Sequence, residues 1–234
     1  VASPTVTGTA VTTTGGTASA TPSILLPATV NAGDYIVALI RESGAEAFTW
    51  PDGWNVLLSD SSDGSDDQTE CAYKIADGSE GGTSITLSRT TSGKYSALSY
   101  AIGLCNAIGL GGLATGASTT PDPLTYIPLG GAITGVDYIW LWMGGWEGEQ
   151  TSPPATPPTN YTNLIGSNSG IAGATATNNR VASARRFTSA TTENPPAMTI
   201  SASDDWTAFV VALWIQPPPT LLPVTVKPRF WRWL

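Results

Sequence analysis

The run YIWLWM, residues 138–143, is apolar at every position. A strand that alternates apolar and polar residues buries one face and wets the other, whereas a short continuous apolar run reads as a strand buried on both. The run is far shorter than the roughly 18–20 residues of a membrane-spanning helix. The segments DYIVALIRE (34–42), NVLL (55–58), TECAYKIA (69–76), TSITLSRT (83–90), KYSALSYAIG (94–103) and AFVVALWI (208–215) also read as strands. Asn31-Ala32-Gly33, Pro51-Asp52-Gly53 and Asp77-Gly78 punctuate them as turns. Residues 5–14 alternate weakly and suit an edge strand or arm, and the Gly- and Ala-rich residues 104–120 read as a connection. No helical periodicity of useful length occurs.

The order of segments repeats. DYIVALI at Asp34 matches DYIWLWM at Asp137, WPDGWNVL matches PPTNYTNL with Trp54 against Tyr161, and AYKI matches ARRF. SITLS then matches AMTIS, with Ile85 against Met198 and Glu80 against Glu193, and Tyr95 falls against Trp206 in the last strand of each half. Five matches in one order point to an internal duplication. Each half supplies about four strands and would leave its core face wet alone. The expected fold is therefore all-β, a two-sheet antiparallel sandwich of jelly-roll type built from two similar four-strand halves. The halves are 22–102 and 122–215 within a domain 22–216, flanked by an N-terminal edge strand or arm (1–21) and an extended C-terminal arm (217–234). Two separate small β domains, joined near residues 104–120, are the alternative.

Composition narrows the chemistry. Of 234 residues 12% are charged, with 25 Gly and 18 Pro, which suits short strands and many turns. A net charge of −8 and a pI near 4.3 argue against nucleic-acid binding, which needs Lys and Arg to displace phosphate counterions. Cys71 and Cys105 form no CxxC pair and read as buried thiols ahead of a disulfide. Histidine is absent, which removes the commonest general base and the Ser-His-Asp and Cys-His arrangements. Glu147 and Glu149 beside Trp146 are the best carboxylate pair for glycoside hydrolysis, but Gly148 and the following prolines favour a solvated turn. Asp60, Asp63, Asp66 and Asp67 offer hard oxygens to calcium, yet their spacing departs from the calcium-loop pattern. The sequence thus calls for no catalytic residue, no metal and no cofactor.

Aromatic residues carry the binding candidates. Trp50, Trp54 and Trp146 lie at or near turns, where indoles can stack on sugar rings, although Trp54 and Tyr161 also suit equivalent core pillars of the two halves. Residues 138–143 and 208–215, as neighbours, would expose more apolar surface than a soluble monomer usually shows, through Tyr138, Trp140, Trp142 and Trp214. A subunit interface or the C-terminal arm would have to cover it. That arm follows Pro217-Pro218-Pro219, is extended by them, and ends in a cluster of Arg229, Phe230, Trp231, Arg232 and Trp233 with no carboxylate. Arginine and large aromatics dominate binding hot spots, so these five residues join the expected partner-binding set.

The segments WPDGW, AYKIADGSEGGTSITLS, TTPDPLTYIP, ARRFTSATTENPPAMTIS and DWTAFVVALWI resemble a group of tailed-phage and prophage virion structural proteins. The resemblance covers about residues 22–216, and the C-terminal arm departs from it. It implies a capsid decoration or cement protein that binds the major capsid protein or another virion protein as an oligomer, a homotrimer by expectation. Such a protein is assembled in the host cytoplasm and located in the virion. The alternative it implies is a tail-fibre or baseplate module that binds host glycans. It brings no catalytic residues and implies neither a nucleic-acid nor a membrane partner.

Overall fold

The structure, a computed structural model, describes residues 3–62, 66–128, 135–147, 154, 156–169 and 178–216. The first half forms β1 (Thr5–Val6), β2 (Val11–Ser19), β3 (Ser23–Leu25), β4 (Tyr35–Ser43), β5 (Asn55–Asp60), β6 (Asp67–Ile75), β7 (Ser84–Thr86) and β8 (Gly93–Gly103). The second forms β9 (Ala107–Ser118), β10 (Tyr138–Glu147), β11 (Thr162–Asn168), β12 (Asn179–Thr188) and β13 (Asp204–Trp214). No helix occurs among the described residues.

Each half makes its own antiparallel sheet, and the two orders are the same. The first runs β2-β8-β4-β6-β5, with β1 sharing the outer edge of β8, and the second runs β9-β13-β10-β12-β11. The sheets pack face to face as a sandwich. Edge strand β2 lies over β11 and edge strand β5 over β9, so a local two-fold relation exchanges the halves. Ser167 Oγ donates to the Thr13 carbonyl at 2.7 Å across one seam, and Thr207 Oγ1 donates to Asp60 at 2.9 Å across the other. In a jelly roll the principal strands of one winding are shared between both sheets. Here they stay in one, so the jelly-roll winding expected from the sequence is not the one the halves adopt.

Four layers result. Val37, Leu39, Leu98 and Ile102 of the first sheet meet Ile139, Leu141, Phe209 and Val211 of the second in the central core. Outside the first sheet, the β3–β7 ribbon lays Ile24, Leu26 and Leu87 over Ala38, Ile40 and Ala101. Outside the second, the extended segments around Tyr126 and Met198 cover the indoles of β10. Met198 N donates to Pro121 O and Ile200 N to Thr119 O, each at 2.9 Å, so the expected strand 197–201 is present as a paired segment without a regular ladder. The central strands of both sheets are therefore buried on both faces, which is why residues 35–40 and 138–143 are apolar throughout.

The repeat extends to single interactions. Lys74 reaches Glu80 at 2.8 Å and Arg186 reaches Glu193 at 2.9 Å. Gly53 and Asn160 both adopt positive φ, +84° and +69°, in the turns before Trp54 and Tyr161. One sequence match is displaced, however. Val37 pairs with Tyr73 as Leu141 pairs with Arg185, and Glu42 pairs with Tyr95 as Trp146 pairs with Trp206. Tyr35 thus corresponds to Ile139, and aligning Asp34 with Asp137 is wrong by one residue. A one-residue slip exchanges the faces of a strand, and Tyr35 does face the central core while Tyr138 faces outward.

Residues 104–120, expected to be a connection, contain β9. The glycines that suggested a linker are required by packing. A Cβ on Gly111 would lie 2.1 Å from the Tyr126 ring, and one on Gly116 2.9 Å from Trp206. Gly15 of β2 stands in the same relation to Tyr95, at 2.2 Å. A ring laid flat on a strand needs that strand to lack a side chain.

Candidate functional site

The aromatic face of β10 is the first sequence candidate, and it is not a free surface. Tyr138, Trp140, Trp142 and Trp146 are all 0% exposed and Trp214 is 5%. Tyr138 stacks on Trp140 with centroids 5.2 Å apart, Tyr126 meets Trp140 edge-on at 6.1 Å, and Tyr138 lies 5.7 Å from Trp214. Val136, Tyr161, Met198 and Ile200 complete the cover. The expectation that Tyr138, Trp140, Trp142 and Trp214 bind a partner is thereby corrected: the chain's own outer segments occupy that face. The large apolar side chains that do reach solvent include Leu104, Leu124 and Ile127.

Trp146 also leaves the set of sugar-stacking candidates, since it is enclosed in the same outer core. Trp50 and Trp54 remain. Their rings lie 5.2 Å apart and tilted by 33°, each half-buried, across the Pro51-Asp52-Gly53 turn. Trp50 Nε1 donates to Glu70 at 2.6 Å, and the same carboxylate accepts from Phe48 N, Ser59 Oγ and Gln68 Nε2. Glu70 thus fixes the pair from below. Trp54 packs against the core under β3–β7, as its equivalence with the buried Tyr161 requires.

Among the described residues the acidic loop does not gather into one site. Asp67 belongs to β6, is buried, and pairs with Arg41 Nη2 at 3.2 Å, while Asp60 accepts from Ser62 and Thr207. Arg41 crosses the central core onto Gly145, whose missing side chain admits it. Among the described residues no cluster of three or more acidic, Cys or His side chains is placed to hold a metal. Asp63 lies outside the described residues. Glu147 is the last residue of β10 rather than part of a turn, and Glu149 lies outside the described residues. So do Arg229, Phe230, Trp231, Arg232 and Trp233. Both thiols are free, and burial pushes Cys71 well above the ordinary range and Cys105 up to about 12.

Two carboxylates are shifted upward, the buried Glu42 and the half-buried Asp204. Burial raises Glu42 to about 7 despite Arg89 3.5 Å away, and burial raises Asp204 to about 6. A carboxyl whose folded pKa exceeds its unfolded value favours folding while protonated, and that contribution is lost as pH rises from the unfolded toward the folded value. The windows run from 4.5 to about 7 for Glu42 and from 3.8 to about 6 for Asp204. Thermal unfolding is expected at lower temperature at pH 8 than at pH 5. Glu42→Gln should flatten the part of that slope lying between about pH 5 and 7; an equally steep slope in the variant would contradict the assignment.

A recess of about 360 Å³ opens where the chain leaves β13, walled by Tyr35, Tyr73, Tyr126 and Trp214. Gln216 N donates to Asn106 Oδ1 at 2.6 Å and Asn106 Nδ2 returns a bond to Gln216 O at 3.2 Å, so the chain is held at the point where residues 217–234 begin. This aromatic wall escaped the sequence reading, because its four rings come from four separated segments. No helix among the described residues is long and apolar enough to cross a membrane. Comparison of the chain with protein-family models, with curated proteins and with solved structures finds no match in any of the three.

Proposed function

We propose that the chain is a non-enzymatic structural protein of a bacteriophage particle, a decoration or cement protein that attaches to the head as an oligomer through its C-terminal arm. The observation that supports this most is the closure of both sheet faces by the chain's own layers. An arm that folded back onto β10 would find Tyr126, Met198 and Ile200 already there. Gln216, where the arm begins, is exposed, and we assign the arm to another subunit or another virion protein. Its Arg229-Phe230-Trp231-Arg232-Trp233 cluster suits an acidic, partly apolar partner surface. The phage context itself rests on the resemblance of the quoted segments.

The second reading, a tail-fibre or baseplate module for host glycans, is favoured by the half-buried Trp50–Trp54 pair. Copy number in purified particles separates the two. A decoration protein is present on the head in hundreds of copies, whereas a fibre or baseplate module is confined to the tail in a few. Absence from the particle overturns both.

A further inference from the structure

The two seams of the sandwich are related by the local two-fold, but they differ chemically. At one, Tyr73 of β6 faces the start of β9; at the other, the equivalent residue of β12 is Arg185. There a pocket of about 300 Å³ lies between residues 8–10 and strands β11 and β12, with Ala10, Leu164 and Ile165 as apolar walls and Tyr100, Asn163 and Arg185 as polar ones. That is the lower end of the size range of small-ligand sites, with the usual few polar groups in an apolar lining.

Three features bear on what these polar groups can bind. Tyr100 is 1% exposed, its hydroxyl faces that of neighbouring Ser183, and among the described residues neither has a hydrogen-bond partner other than the facing hydroxyl. Of the two, Tyr100 lines the pocket, and its hydroxyl has hydrogen-bonding capacity left for a ligand or an ordered water. Arg185 has no carboxylate within ion-pair distance among the described residues, unlike its neighbour Arg186, which holds Glu193. With the Asn163 amide turned so that its oxygen meets donors, Arg185 Nε and Nη2 donate to it at 3.0 and 2.9 Å. This, with the Phe187 ring centroid 5.9 Å from the guanidinium carbon, fixes the guanidinium at the pocket. Asn163 itself sits at φ +52° where β11 shifts register against β12, the kind of irregularity that re-aims side chains at a site.

We propose that this seam binds a small organic carboxylate of monosaccharide size, its carboxylate on Arg185 and a further oxygen within reach of the Tyr100 hydroxyl. Burial pushes the Tyr100 phenol up to about 12, with Ser183 and Arg185 drawing it back, so it is a donor at neutral pH. Arginine matches a carboxylate in both charge and planar geometry, which the tyrosine of the other seam does not. The site stands apart from the virion reading and holds whether or not the chain is found in a particle.

The test is nitrogen-15 NMR of the arginine Nε–H signals of the full chain, titrated with glucuronate, glucose, acetate and chloride. Glucuronate should give a saturable shift of the Arg185 signal at millimolar concentration or below, acetate one at least tenfold weaker, and glucose and chloride none. Arg185→Tyr, which installs the side chain that the other seam accommodates, should abolish saturation by glucuronate. Tyr100→Phe should weaken it about fivefold while leaving thermal unfolding unchanged or higher. The proposal is overturned if neither glucuronate nor acetate shifts Arg185 saturably, if chloride does so equally (an adventitious ion only), or if saturation survives Arg185→Tyr.

Discussion

Replacing Trp140 with alanine is expected to cost about 3–5 kcal/mol of folding stability, the range for deleting a buried aromatic side chain. The indole is fully enclosed and touches Tyr138 and Tyr126 on two sides, so its loss leaves a cavity. Domains of this kind retain about 5–15 kcal/mol in all, and the variant should be close to unfolding at 37 °C. Trp140→Phe should be much milder, since it keeps a ring in place and removes an indole N–H that has no partner among the described residues. Urea unfolding of the two variants decides the matter. A Trp140→Ala chain of nearly unchanged stability that fails only in assembly would restore the face of β10 to a partner-binding role.

Gly111→Val should cost about 2–3 kcal/mol by overpacking, although glycine to valine is ordinarily favourable in a strand. The added Cβ would lie 2.1 Å from Tyr126 Cδ2, and Tyr126 cannot retreat because Trp140 stands behind it. Gly16→Ala offers the control: its nearest neighbour would be Ser169 O at 3.4 Å, and its effect should stay within about 0.5 kcal/mol. Tyr126→Ala placed in both backgrounds should make Gly111→Val nearly neutral. If the double variant shows simple additivity, the ring is not what requires the glycine.

Hydrophobic pattern made the central strands plain. The segment 34–42 and β4 differ by one residue at each end, and the continuous apolar run 138–143 did signal a strand covered on both sides. What covers it was hidden, because Tyr126, Met198 and Ile200 belong to short extended segments broken by several prolines. β9 was hidden for a related reason: glycine reads as a linker unless one knows which ring lies above it. The repeat was legible in order but not in register, since the shared DYI triplet lures the alignment of β4 onto β10 by one residue. At the surface, Trp50 and Trp54 could be found from the Pro-Asp-Gly turn, while Trp146, one residue from the end of β10, could not be told from a turn residue. Arg185 gave no signal by itself. Its meaning depends on Tyr100, which is distant in sequence and comes from the other sheet.

The account turns on the body being closed by its own layers and the arm acting on another protein. Ending the chain at Gln216 tests this most directly, by thermal unfolding of the isolated protein and by its occupancy on the particle. Unfolding within about 2 °C of the full chain, together with loss of particle binding, is the predicted result. A truncated chain that unfolds well below the full chain would place the arm on its own domain, and one that binds the particle at full occupancy would contradict its role as the anchor.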